Sequence, residues 1–61
     1  METLYHFRLL TPRGRFITLS VVAWGFQQFH DLETHFKNLE PEYSEHRVLA
    51  IYNVFARCFV E

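Results

Sequence analysis

From Tyr5 to Trp24 the chain reads "YHFRLLTPRGRFITLSVVAW", with large apolar side chains on both alternating sets of positions. Alternation with a period of two marks a strand, and "TPRGR" in the middle supplies a tight turn. Pro12 presets φ at the first central position of a type I turn. Gly14 accepts the left-handed conformation that follows, giving a three-residue loop with a G1 bulge. Closing the loop there pairs Thr11 with Arg15, then Leu9 with Ile17, Phe7 with Leu19 and Tyr5 with Val21. Each of the last three pairs is apolar, so turn chemistry and hydrophobic pattern select one register independently. The opposite face pairs Leu4 with Val22, His6 with Ser20, Arg8 with Thr18 and Leu10 with Phe16, with Trp24 at the far end. It is polar in the middle and apolar at both ends.

The next stretch, "GFQQFHDLETHFKNLEP", switches to steps of three and four. Phe26, Phe29, Leu32, Phe36 and Leu39 form one stripe of an amphipathic helix. Gln27, Gln28, Asp31, Glu33, Thr34 and Lys37 lie mostly off it. Pro41 disfavours helical geometry at Glu40, so the helix is expected to end near Asn38. Its stripe covers the Tyr5, Phe7, Leu9, Ile17, Leu19 and Val21 side of the hairpin.

The last segment, "RVLAIYNVFARCFVE", admits two readings. Val48, Ile51, Val54, Val60, Tyr52, Phe55 and Phe59 favour a strand. His46, Asn53, Arg57 and Glu61 also align on a helix, and Pro41 suits a helix start. The β-branched and aromatic content decides for the strand. The expected fold is α+β, a small single-layer antiparallel sheet in the order β-β-α-β with one amphipathic helix on one face. The third strand lies antiparallel beside the first, and the alternative is β-β-α-α. As a strand, the segment places Val48, Ala50, Tyr52 and Val54 on one face and Leu49, Ile51, Asn53 and Phe55 on the other. The face away from the helix then joins Leu10, Phe16, Val22 and Trp24 in an uncovered apolar patch, the usual mark of an interface.

Size makes that patch matter. Sixty-one residues form one domain, 1–61, with 49% hydrophobic and 18% aromatic content, and a chain this short buries only about 60% of its unfolded surface. Two Gly, two Pro and no linker-like stretch argue against disorder. The single cysteine, Cys58, excludes an intramolecular disulfide framework and is compatible with a reducing compartment. No apolar run approaches the roughly 20 residues of a bilayer span, and "METLYHFR" lacks the apolar stretch of a signal peptide. A cytoplasmic location is the expectation, with no membrane association.

Candidate chemistry is sparse. His30 and His35, five apart, stand roughly 140° apart on a helix and cannot share an ion. His6 and His46 have no HxH, HExxH or CxxC context, so no metal is expected. Cys58 sits in an apolar run, where a thiol is commonly a small core residue. Ser20 and Ser44 lack a nucleophile elbow, no glycine-rich phosphate loop exists, and Glu40, Glu42 and Glu45 read as a solvated acidic loop. Neither a cofactor nor an enzymatic activity is expected.

Charge changes the picture only locally. The formal net charge is −1, which argues against strong non-specific phosphate binding. Arg8, Arg13 and Arg15 cluster near the hairpin tip, so the chain reads as polarised, with a basic turn at one end and an acidic helix end at the other. A single-stranded nucleic-acid binder using that tip is one alternative; an obligate homodimer through Phe16, Val22, Trp24, Phe55 and Phe59 is another. The favoured expectation is a non-enzymatic protein-binding module that occludes a surface of a macromolecular partner. Phe16, Trp24, Phe55 and Val22 would anchor it, and Arg13 and Arg15 would orient it. In outline the element order resembles small β-β-α-β proteins, among them phage proteins that bind and block a host enzyme. That likeness is one of architecture and assigns no site residue.

Overall fold

The hairpin of the computed structural model, which describes residues 2–24 and 28–61, has the register that its turn dictates. Strand β1 (Glu2–Leu10) pairs antiparallel with β2 (Phe16–Trp24), matching Leu9 to Ile17, Phe7 to Leu19 and Tyr5 to Val21. Gly14 sits at φ 80° and donates its N–H to the Thr11 carbonyl at 2.9 Å, while Thr11 donates to Arg15 at 2.8 Å. This is the type I turn with a left-handed glycine.

Beyond residues 25–27 the chain forms α1 (Phe29–Leu39). Its expected start, including Phe26, lies outside the described residues. No side chain caps the N-terminus; the Phe29 N–H instead donates to the Glu61 carbonyl at 3.1 Å, satisfying one of the four orphan donors of a helix start. At the other end Glu40 donates back to Phe36 at 2.9 Å, and Pro41 opens a single 3₁₀ turn (Pro41–Tyr43). The helix ends at Leu39, one residue past the expected point.

Residues 47–53 are a strand, which settles the ambiguous segment. Strand β3 (Arg47–Asn53) runs antiparallel to β1 on the side away from β2. A two-residue β4 (Cys58–Phe59) follows, completing one four-stranded sheet in the order β2-β1-β3-β4. This fourth strand was not expected. It forms because the Asn53 side-chain oxygen accepts from the Ala56 N–H at 2.9 Å and Arg57 takes a left-handed φ of 55°. An Asx-type turn thereby folds the chain back on itself.

The register between β1 and β3 shifts between Arg8 and Leu9. Arg8 faces Ala50 but Leu9 faces Val48, so Leu49 is the extra residue of a β-bulge. The bulge corrects the expected division of β3. Strict alternation separates Val48 from Ile51, yet both are buried on the helix side, because one inserted residue resets the alternation. Ala50 and Tyr52 face the bare side, opposite Arg8 and His6.

Tyr5, Phe7 and Leu9 of β1, Ala23 of β2, Leu32 and Phe36 of α1, and Val48 and Ile51 of β3 form the core. The Phe36 ring lies 4.7 Å from Phe7 and 5.6 Å from Tyr43, centroid to centroid. The helix thus covers β1 and β3 well and β2 poorly: Ile17, Leu19 and Val21 are only half-buried. Leu39, expected on the buried stripe, is 58% exposed. It sits in the helix's last residue, past the point where α1 meets the sheet.

Phe36→Ala removes the ring that joins helix, sheet and 3₁₀ turn. The expected loss is about 3–5 kcal/mol, comparable with the roughly 3–9 kcal/mol available to a domain of this length. Urea denaturation followed by circular dichroism should find the variant largely unfolded in buffer. Gly14→Ala meets no atom within 4 Å, so it should cost only the left-handed backbone penalty, about 1–2 kcal/mol.

Candidate functional site

Pairing fixes which side chains share the bare face, because directly opposed residues point the same way. Across the sheet, Ser20, His6, Tyr52 and Phe59 form one row. Thr18, Arg8 and Ala50 form a second, and Phe16, Leu10 and Arg47 a third at the hairpin end. Val22 with Leu4 and Trp24 with Glu2 close the far end. The expectation of a face polar in the middle and apolar at both ends therefore holds for the hairpin. β3 and β4 add a central aromatic pair, since Tyr52 and Phe59 meet edge to face at 5.1 Å.

The expected anchors do not form one cluster. Phe16 stands at the hairpin end, and the Arg8 guanidinium lies over its ring at 5.4 Å, a cation–π contact that holds both side chains on the face. Arg13 and Arg15 occupy the adjoining tip, both exposed. Val22 and Trp24 lie toward the opposite end of β2, six and eight residues' travel away, or about 20 and 27 Å. Phe55 is in the turn between β3 and β4, at the same end of the sheet as Leu4 and Val22, because Val54 donates its N–H to the Leu4 carbonyl at 3.0 Å. Phe16, Trp24, Phe55 and Phe59 are each more than 60% exposed, and Val22 is 56% exposed. Tyr52 was missed as a member of the face because the bulge that turns it there has no glycine to announce it.

Two other expectations are corrected. Cys58 is exposed on β4 and not in the core, since a two-residue edge strand has nothing packed outside it. The acidic segment does not lie at the far end from the arginines. Arg47 faces Leu10, so residues 44–46 enter the sheet at the hairpin end. Among the described residues the one ion pair is Lys37 with Glu33, at 3.9 Å along α1, so the tip arginines are not tied to that loop.

The histidines are dispersed. His6 lies in the middle of the bare face and His30 on the exposed side of α1. His46 meets the Tyr43 ring edge-on at 5.0 Å, with its Nδ1 buried and unpartnered. Among the described residues no three His, Cys, Asp or Glu side chains converge on a metal-sized site, and no helix is long and apolar enough to cross a membrane.

A cleft of about 360 Å³ opens beside the sheet. It runs along the outer side of β2, between residues 19–22 of that strand and Phe36, Leu39, Glu40, Glu42 and Tyr43. Four consecutive strand residues line it, so β2 presents its edge to the cleft and not one face. Compared with known protein families, curated proteins and solved structures, the chain matches none.

Trp24 is the sole tryptophan and reports on the bare face directly. In dilute solution its emission should be that of a hydrated indole and should be quenched freely by acrylamide. Phe55→Ser and Val22→Thr should each shift stability by no more than about 0.5 kcal/mol, measured by the same urea titration. A blue-shifted emission, or a core-sized loss, would show this face to be sealed.

Proposed function

We propose that this chain is a non-enzymatic protein-binding module that works by covering a surface of a macromolecular partner, as small inhibitors of host or defence proteins do. The observation that carries the reading is the bare face itself. Five large apolar side chains, Phe16, Val22, Trp24, Phe55 and Phe59, are exposed on it or at its rim, on a chain with one helix to cover one side. Leaving them wet forgoes roughly 25 cal/mol for every Å² of apolar surface that a docked partner would remove from water. Aromatic residues supply most of the energy in such interfaces. The flanking Arg13 and Arg15 add orientation and association rate toward a partner's carboxylates.

The reading favours a protein over a nucleic acid for two reasons. Arg8 is engaged with Phe16, which occupies the ring a base would stack on. The remaining arginines stand at the tip and not along the face, so no basic groove follows the aromatic rows.

The test is a Phe16→Ala, Trp24→Ala double variant with unchanged circular dichroism. Immobilised and exposed to a lysate of its native cell, the wild type should retain a partner that the variant loses. Once that partner is purified, the double substitution should weaken binding by at least about thirtyfold, the effect of one hot-spot residue. Arg13→Glu with Arg15→Glu should slow association and flatten its salt dependence. Undiminished retention by the folded double variant would refute the reading.

A further inference from the structure

The two margins of the sheet are built differently. At the β4 margin the outer strand has two residues, a bulge at Leu49 breaks the ladder, and Arg47 and Arg57 flank it. These are the devices by which natural sheets discourage a further strand from adding. The β2 margin has only a flanking charge, Arg15 at its hairpin end, and neither the short length nor the bulge. It is nine residues long, "FITLSVVAW", with no proline, no charge and no register shift against β1. Three of the most exposed apolar side chains, Phe16, Val22 and Trp24, belong to this strand, and Leu39 stands beside it across the cleft.

The hydrogen-bond polarity of this margin can be counted out. Thr11 donates to Arg15, so Thr11 and Arg15 are a hydrogen-bonded pair. In steps of two, Ile17, Leu19, Val21 and Ala23 turn their N–H and C=O groups toward β1. The Val54 N–H reaching the Leu4 carbonyl agrees, since it requires the even-numbered residues of β1 to face β3. Phe16, Thr18, Ser20, Val22 and Trp24 therefore turn their backbone groups outward, where no strand among the described residues meets them.

We propose that a second copy of this chain occupies the margin, with β2 pairing antiparallel to β2 of its partner about a two-fold axis through Ser20. Of the possible registers only this one pairs all nine residues. It opposes Phe16 to Trp24, Ile17 to Ala23, Thr18 to Val22, Leu19 to Val21 and Ser20 to its own copy. Outward-facing backbone groups meet outward-facing groups throughout. On the bare face, Phe16 and Trp24 form an aromatic cross-strand pair at each end. On the helix side, Leu19 and Val21 of one copy enter the cleft of the other beside Leu39 and Tyr43.

Charge and area both favour a copy as the occupant. A strand that pairs with its own copy meets only its own side chains, and β2 carries no charge. The pairing therefore sets no like charges opposite one another along the two strands; Glu40 and Glu42 stand on the helix side of the cleft, off the strand. The molecule measures 33 × 21 × 17 Å. A side of 33 by 17 Å is about 560 Å², or roughly 1,100 Å² for two copies, at the lower limit of specific interfaces. The pairing yields one eight-stranded sheet in the order β4-β3-β1-β2-β2-β1-β3-β4. It does not rest on the reading of the bare face, which stays open on both copies.

Sedimentation velocity over a dilution series tests it, with three variants. Ser20→Pro removes an N–H that points outward, which edge strands tolerate, and should raise the dissociation constant roughly ten- to a hundredfold by deleting two hydrogen bonds. Ser20→Lys keeps the backbone but sets two ammonium groups face to face, and should also give monomers. In a Cys58→Ser background, Ser20→Cys should oxidise to a disulfide-linked dimer and Thr18→Cys should not, while Thr18→Cys with Val22→Cys should. A wild-type chain that stays monomeric at millimolar concentration overturns the proposal. So do folded Ser20→Pro and Ser20→Lys chains that dimerise like the wild type, or cross-linking through Thr18→Cys alone. Retention of a foreign partner by monomeric Ser20→Pro is a separate readout, so failure of this pairing and failure of the proposed function are distinguishable.

Discussion

The contact on which the rest of the structure depends is the stack of Phe36 on Phe7, 4.7 Å apart. It is the point at which helix and sheet exclude water together, and Tyr43 extends it to the turn that starts β3. An eleven-residue helix is about 16 Å long and about 10 Å across. Strands lie about 4.8 Å apart and rise about 3.4 Å per residue, so such a helix covers two strands and roughly half the length of a nine-residue one. Centred on Phe7, it covers β1 and β3. The half-buried inner side of β2, the exposed Leu39 and the cleft between them all follow from that one width.

The same constraint leaves the other face bare. Among the described residues no second element lies over it, and residues 47–60 spend themselves as a third strand and a short fourth in the plane of the sheet. Composition then makes the face unusual. Where a one-sided antiparallel sheet commonly alternates apolar with polar, β1 and β2 keep Leu4, Leu10, Phe16, Val22 and Trp24 on the wet side. Thr18, Ser20, His6 and Arg8 confine the polar character to the middle rows.

Local features were legible in the sequence, and features set by strand-to-strand geometry were not. The hairpin register could be read pair by pair because Pro12 and Gly14 state the turn and the apolar positions state the face. The helix and its end followed from periodicity and Pro41. The faces of β3 could not be read, since a bulge at a leucine leaves no compositional trace and brings Val48 and Ile51, which strict alternation separates, to the same buried side. β4 was hidden because Asn53 acts through a side-chain hydrogen bond to Ala56, inside a run that otherwise reads as continuous strand. The anchors Phe16, Trp24, Phe55 and Val22 were correctly read as exposed. Their separation into two ends depends on which strand lies beside which.

Face and edge are different surfaces, and using one does not consume the other. Side chains of β2 stand perpendicular to the sheet while its free N–H and C=O groups lie in the plane, so a strand added at the margin leaves Phe16 and Trp24 accessible from above. Pairing about Ser20 would bring each Phe16 beside a Trp24 from the other copy and set two such pairs about 27 Å apart, with the threonine and serine rows between them. Neither ring alone makes a platform. Two joined pairs make a surface with two apolar poles and a polar waist, duplicated by symmetry, and the Arg13 and Arg15 tips fall at its opposite ends. A partner matched to that surface would be extended or itself two-fold, and would engage both poles at once, where the second contact is made at the high effective concentration of a tethered site. On this account the bare face and the uncharged margin of β2 are two parts of one arrangement: the margin sets the spacing of the anchors that the face presents.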